Sequence, residues 1–151
     1  MGISAEQIKA LRDKTGVSMM MVRKALEEAE GDETRALEVL SQLSAEVAGK
    51  KSDRELGAGV IDAYIHHDKK SGVLLDVRCE SDFVSKNEEF QSVIHRIALQ
   101  IVAMKHETVE ELLAAPSMQD ENKTVQDVIN ELTGKFGERV TVTAFTRYTI
   151  A

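Results

Sequence analysis

Val73-Leu74-Leu75-Asp76-Val77-Arg78-Cys79-Glu80-Ser81-Asp82-Phe83-Val84-Ser85-Lys86-Asn87-Glu88-Glu89-Phe90 is the stretch that decides the fold. It begins as a strand: Val73, Leu75, Val77 and Cys79 alternate with Leu74, Asp76, Arg78 and Glu80, so one face is apolar and the other mixed. The alternation stops at Ser81-Asp82, whose side chains accept hydrogen bonds from nearby backbone N–H groups and so favour caps and turns. Phe83-Val84 follows, and then Ser85-x-x-Glu88 offers a second helix start with capping-box spacing. An acid and an aromatic are thus held at the corner between a buried strand and a long helix. Phe83 has two readings here: it folds back into the core, as a single aromatic usually does, or it stands out from the corner.

Working outward, Ala58 to His67 reads as a strand and Asp68-Lys69-Lys70-Ser71-Gly72 as a five-residue turn, which makes a hairpin with the opening strand. Downstream, Phe90, Val93, Ile94, Ile97, Ala98, Ile101, Val102 and Met104 form a helical stripe over Asn87 to His106 that should lie across the hairpin. Thr108 and Glu111 start a short helix that Pro116 stops, and Thr124 caps another carrying Val125, Val128, Ile129 and Leu132. Gly134-Lys135-Phe136-Gly137 ends it, and the alternating, β-branched run Arg139 to Ile150 supplies a last strand. Upstream, residues 1–44 read as three short helices capped by Ser4, Ser18 and Asp32. Thr15-Gly16 and Gly31 break them; Ile8, Leu11, Val22, Leu26, Ala29, Ala36, Leu37, Leu40 and Leu43 face inward. The expectation is an α+β protein: a three-helix N-terminal domain (1–44), a polar linker (45–57) and a core (58–151) of a three-stranded antiparallel sheet packed with helices on one face.

The composition excludes several functions. The net charge of −7 argues against direct contact with nucleic acid, since an acidic surface repels phosphate. No apolar run approaches a membrane span and no signal peptide opens the chain, so a cytoplasmic location is expected. The single Cys79 cannot make an internal disulfide or a cysteine metal cluster; it reads as a small buried hydrophobe, with an intermolecular disulfide as the alternative. His66 and His67 are adjacent on a strand and so point to opposite faces, and His95 and His106 lie roughly 16 Å apart on one helix, so neither pair is expected to share a metal. No Ser/His/Asp order or phosphate loop stands out, and neither an enzyme nor a cofactor is expected. Met19, Met20 and Met21 are a different signal: three consecutive helical residues cannot all point inward, so at least one thioether is exposed, either as on adaptable binding surfaces or as the cap of a small core. Lys9, Arg12, Lys14, Arg23 and Lys24 surround them, a local basic patch that suits an acidic partner surface.

Three runs give the chain a resemblance. Leu11-Arg12-Asp13-Lys14-Thr15-Gly16-Val17-Ser18-Met19-Met20-Met21-Val22-Arg23-Lys24-Ala25-Leu26, followed by Gly31-Asp32, is similar to the ubiquitin-associated-like N-terminal domain of the bacterial elongation factor Ts family. Val77-Arg78-Cys79-Glu80-Ser81-Asp82-Phe83-Val84-Ser85-Lys86-Asn87 resembles that family's Thr-Asp-Phe-Val signature, with Ser81 in place of Thr. Gly137-Glu138-Arg139-Val140 resembles the motif before its last strand. The resemblance covers essentially the whole chain. It implies a guanine-nucleotide exchange factor that binds elongation factor Tu and works without covalent chemistry. On that analogy Ser81, Asp82, Phe83 and Val84 face the partner's nucleotide-binding domain, with Phe83 wedged near its magnesium site and Asp82 hydrogen-bonded to displaced elements. Lys9, Arg12, Met19, Met20 and Arg23 dock on a helix of the same domain, and Lys51, Phe136 and Gly137 are weaker carry-overs. Longer members have a second core half, and a homodimer would restore its contacts here. Two other classes compete: a peptide-binding adaptor using only residues 1–44, which leaves the Ser-Asp-Phe-Val corner without a role, and a small metal enzyme built on the histidines.

Overall fold

The computed structural model describes residues 2–150. Three helices come first: α1 (Ala5–Thr15), α2 (Met19–Glu28) and α3 (Glu33–Lys50). Ser4, Ser18 and Asp32 cap them through their side-chain oxygens, Ser4 in a reciprocal capping box with Gln7. Gly16 closes α1 in the left-handed region at φ +69°. The close of α2 differs from expectation. Ala29 is the cap, and Glu30 and Gly31 both take positive φ beyond it, because the chain must reverse within three residues to reach Asp32. Leu11, Val17, Val22, Leu26, Ala36 and Leu40 form the buried cluster of these helices. Leu37, expected inside, is exposed; Val39 packs inward instead, beside the expected Leu43.

α3 runs on to Lys50, well into the segment read as linker. Its C-terminal half has something to pack against, the last helix of the chain, α7 (Val125–Phe136). Gly134 permits the close approach: a Cβ there would sit 3.3 Å from the Ser44 hydroxyl on α3. Gly134 therefore lies inside α7, and only Gly137, at φ +71°, ends it.

The remaining elements are β1 (Ala58–Ile65), β2 (Ser71–Cys79), α4 (Asp82–Ser85), α5 (Glu88–Met104), α6 (Val109–Ala114) and β3 (Thr141–Thr149). They form the expected α+β arrangement, an antiparallel three-stranded sheet in the order β1-β2-β3. Two residues read as turn, Ser71 and Gly72, already belong to β2, with Gly72 opposite Ile65. His66 and His67 thus lie past the end of β1, where strand alternation no longer applies, and their rings lie 4.3 Å apart rather than on opposite faces. α5 stops at Met104, with Lys105 left-handed, so His106 is outside the helix. The register slips between Asp76 and Val77, where β3 carries an extra residue: Val77 pairs with Val142 and Asp76 with Ala144.

One face of the sheet is buried under the helices. Val73, Leu75, Val77, Cys79 and Val142 meet Phe90, Ile94, Ile97, Ala98 and Ile101 of α5 and Ile129 and Leu132 of α7. The other face is open: Ile61, Ile65, Leu74 and Tyr148, with Ile150 just beyond β3, are each more than half exposed.

Candidate functional site

Residues 79–90 make a sharp corner whose parts are fixed locally. β2 ends at Cys79 with its thiol buried and donating to the Ser81 carbonyl, at 3.4 Å. Burial, reinforced by the neighbouring Glu138 carboxylate, pushes the Cys79 thiol above its ordinary value. Ser81, in extended backbone, caps the single-turn α4 and accepts from the Val84 N–H at 3.5 Å. Lys86 N–H closes that turn on the Asp82 carbonyl at 3.0 Å, and Asn87 caps α5 by accepting from Phe90 N–H at 3.0 Å. The expected Ser85 cap is therefore displaced by two residues. Ser85 is already helical in α4, is buried, and its hydroxyl donates to the Asp82 carbonyl.

One turn of helix has an inside and an outside. Val84 and Ser85 point in. Asp82 and Phe83 point out, and Phe83 is 83% exposed. Of the two readings of Phe83, the structure selects the exposed one. A large aromatic is thus held in water on a backbone whose two ends are capped. With Lys86 and Asn87, these two residues line a shallow cleft.

A second corner braces the first. Gly137 turns the chain out of α7, and the Glu138 carboxylate accepts from Glu80 N–H (3.1 Å), Ser81 N–H (2.9 Å) and the Ser81 hydroxyl (2.5 Å). In return the Glu80 carboxylate accepts from Arg139 N–H (2.5 Å) and pairs with Arg54 (3.4 Å), whose carbonyl accepts from the Arg139 guanidinium at 2.8 Å. Sequence reasoning did not find this clamp. Its halves are 57 to 59 residues apart.

The other predicted residues lie elsewhere. Met19 is 56% and Met20 82% exposed at the start of α2, while Met21 packs inward. Lys9 and Arg12 are exposed on α1, and Arg23 on α2 pairs with Glu27 at 3.0 Å. Lys51 is the half-buried residue that follows α3. Phe136 is partly buried and packs on the core, edge-on to Phe90 at 5.9 Å. Among the described residues no group of three or more His, Cys, Asp or Glu is placed to hold a metal ion, and no helix is long and apolar enough to cross a membrane.

Known proteins are similar to this chain in sequence. A family model described as elongation factor TS matches residues 80–151, the span that opens on the Glu80-Ser81-Asp82-Phe83 corner. Elongation factor Ts of Clostridium perfringens (strain SM101 / Type A) is 40% identical over 148 residues, covering 98% of this chain and 48% of the relative. The chain thus spans about half the length of that protein. Elongation factor Ts of Thermosipho melanesiensis is 35% identical over 193 aligned positions, covering 98% of both chains. The counterpart in Desulforamulus reducens is 36% identical over 191, covering 97% of this chain and 88% of the relative. Both alignments are longer than this chain's 151 residues, so each relative carries sequence that has no counterpart here. With a relative at 35% identity matched over nearly the whole of both proteins, this chain belongs to the elongation factor Ts family.

Proposed function

We propose that this chain is a translation elongation factor Ts: a guanine-nucleotide exchange factor, acting in the cytoplasm, that binds elongation factor Tu carrying GDP and promotes GDP release. The observation that carries this reading is the exposure of Phe83 on a capped, braced turn. In this reading Phe83 wedges between partner helices near the magnesium site, and Asp82 holds the displaced elements by hydrogen bonds. Ser81 and Val84 set the turn from which both project. Magnesium and phosphate contacts weaken and GDP leaves. No bond to the protein is made or broken, so the factor is not an enzyme in the chemical sense. Because coupling is reciprocal, GDP weakens the binding of the factor by the same ratio, and excess GTP sets the direction of exchange.

The second contact is the methionine patch. Met19 and Met20, flanked by Lys9, Arg12 and Arg23, dock residues 1–44 on the same partner domain; Lys51, Phe136 and Gly137 are weaker contacts. The exposed Met20 suits an adaptor equally well; what favours the exchange factor is that an adaptor would leave the exposed Phe83 unused. A second copy of this chain is the proposed occupant of the open sheet face. That face is apolar across all three strands, and its charged pair, Asp76 and Arg78, is self-neutralised by hydrogen bonds of 2.6 and 2.9 Å.

Release of a fluorescent GDP analogue from elongation factor Tu under excess unlabelled nucleotide tests the reading. Acceleration at substoichiometric amounts of the chain is the expected result. A folded chain that leaves the rate unchanged sinks the exchange role and favours the adaptor.

A further inference from the structure

We infer that Glu138 is the positioning residue of this site: its carboxylate fixes Ser81 and thereby aims Phe83. Phe83 is 83% exposed, so its own side-chain contacts do little to hold it. Its place depends on the backbone of α4, and a four-residue helix has no intrinsic stability. Two things hold that backbone. Val84 and Ser85 are buried beneath it, and Glu138 grips its entry from the side.

The grip is specific. One carboxylate satisfies two consecutive N–H groups, Glu80 and Ser81, and accepts a hydrogen bond from the Ser81 hydroxyl as well. With that proton committed to Glu138, the lone pairs of Ser81 Oγ are left to accept from Val84 N–H, which is the cap of α4. Charge-assisted bonds of this kind are stronger than neutral ones. The reverse bond, from Arg139 N–H to the Glu80 carboxylate, prevents the two corners from sliding past each other. An alanine at 138 leaves the hydrophobic layer below intact but frees the two amides and the cap.

The functional arm of the test rests on the exchange reading; the structural arm does not. Glu138→Ala and Glu138→Gln are compared with wild type by amide hydrogen exchange on the free protein, and in stimulated nucleotide release alone and combined with Phe83→Ala. In Glu138→Ala the amides of Glu80 and Ser81 lose protection while those of Leu75 and Val77 in β2 keep theirs. Stimulated release slows by roughly tenfold, and adding the change to Phe83→Ala costs less than it does in wild type, because only Asp82 is left on the turn to be misplaced. Glu138→Gln keeps one carbonyl oxygen for the two amides but cannot accept the Ser81 proton on its nitrogen, so it falls between. If the alanine variant does not fold, the glutamine variant carries the same comparison. Retained protection of the two amides overturns the inference. So does loss of protection across the whole sheet, or an equal loss of activity in the Phe83→Ala background. If wild type itself does not stimulate release, the exchange reading fails, and the amide arm alone decides whether Glu138 fixes the corner.

Discussion

Phe83→Ala separates function from folding more cleanly than any other single change. In the free chain Phe83 keeps 83% of its surface in water, so shortening it removes almost nothing from the core. Folding stability should move by no more than about 0.5 kcal/mol, which for a domain of this size is within about 2 °C in Tm. Contact with a partner is another matter. Complete burial of a phenylalanine side chain is worth roughly 1.5–3 kcal/mol, and the exposed share of Phe83 makes about 1.2–2.5 kcal/mol of that available at an interface. At 1.4 kcal/mol per factor of ten, stimulated release should slow by roughly 7- to 60-fold. The assay is nucleotide release from elongation factor Tu over a range of factor concentrations, with thermal unfolding of the variant alongside. A variant that unfolds as wild type does and stimulates release within twofold of it would refute the reasoning, because the largest exposed side chain of the corner would then do nothing. A drop in Tm of many degrees would refute the other half, that Phe83 contributes nothing to the fold.

Three further outcomes follow from packing. Ser44→Ala should stabilise the protein by about 1 kcal/mol, because Ser44 Oγ is buried at the α3–α7 contact without a hydrogen-bond partner among the described residues; chemical denaturation that shows a loss would mean the hydroxyl is satisfied in solution. Leu74→Lys, on the open sheet face, should leave folding nearly unchanged and convert a dimer to monomer in sedimentation equilibrium. A wild-type chain that is monomeric through the micromolar range removes the dimer altogether. Cys79 should resist alkylation in the native state, since its thiol is buried and its pKa is raised by burial first and by the Glu138 carboxylate second. A raised folded pKa means that the native state keeps the proton after the unfolded chain has released it. Stability should therefore hold at neutral pH and decline as pH rises past the ordinary thiol value. Rapid labelling at neutral pH without unfolding would contradict this.

Much of the architecture was legible because its signals are local. Alternation over Val73 to Cys79, the stripe from Phe90 to Met104 and the caps at Ser4, Ser18, Asp32 and Thr124 each depend on residues a few positions apart. Where local signals compete, sequence reasoning chose wrongly. Ser85 and Asn87 both suit a cap, and the earlier claim of Ser81 on α4 left Ser85 inside a helix. Gly134 reads as a stop, yet it is a point of approach whose reason, Ser44, lies on a helix 90 residues earlier. The adjacent histidines fell outside the strand that was to separate them. The exposure of Phe83 could not be read from spacing alone, since a capped turn can present either side of itself. What turns it outward is that Val84 and Ser85 fill the inner side. The Glu138 clamp was invisible for a simpler reason: it joins two polar segments with no periodicity, across most of the core.

The slip in register beside Asp76 bears on how this chain can change length. In a regular strand, loss of one residue inverts every side chain beyond it. In β3, Val142 is buried on the helical side, Phe145 and Arg147 also face that side, and Thr143 and Ala144 both face away. Thr143 has no partner on β2. Its deletion would therefore remove the irregularity and leave Val142 and Phe145 on their present side, so the strand tolerates shortening at the bulge. Loss of either Thr143 or Ala144 leaves a single outward residue between Val142 and Phe145 and keeps the core, whereas loss of Phe145 removes a side chain packed against that core even if the bulge absorbs the shift.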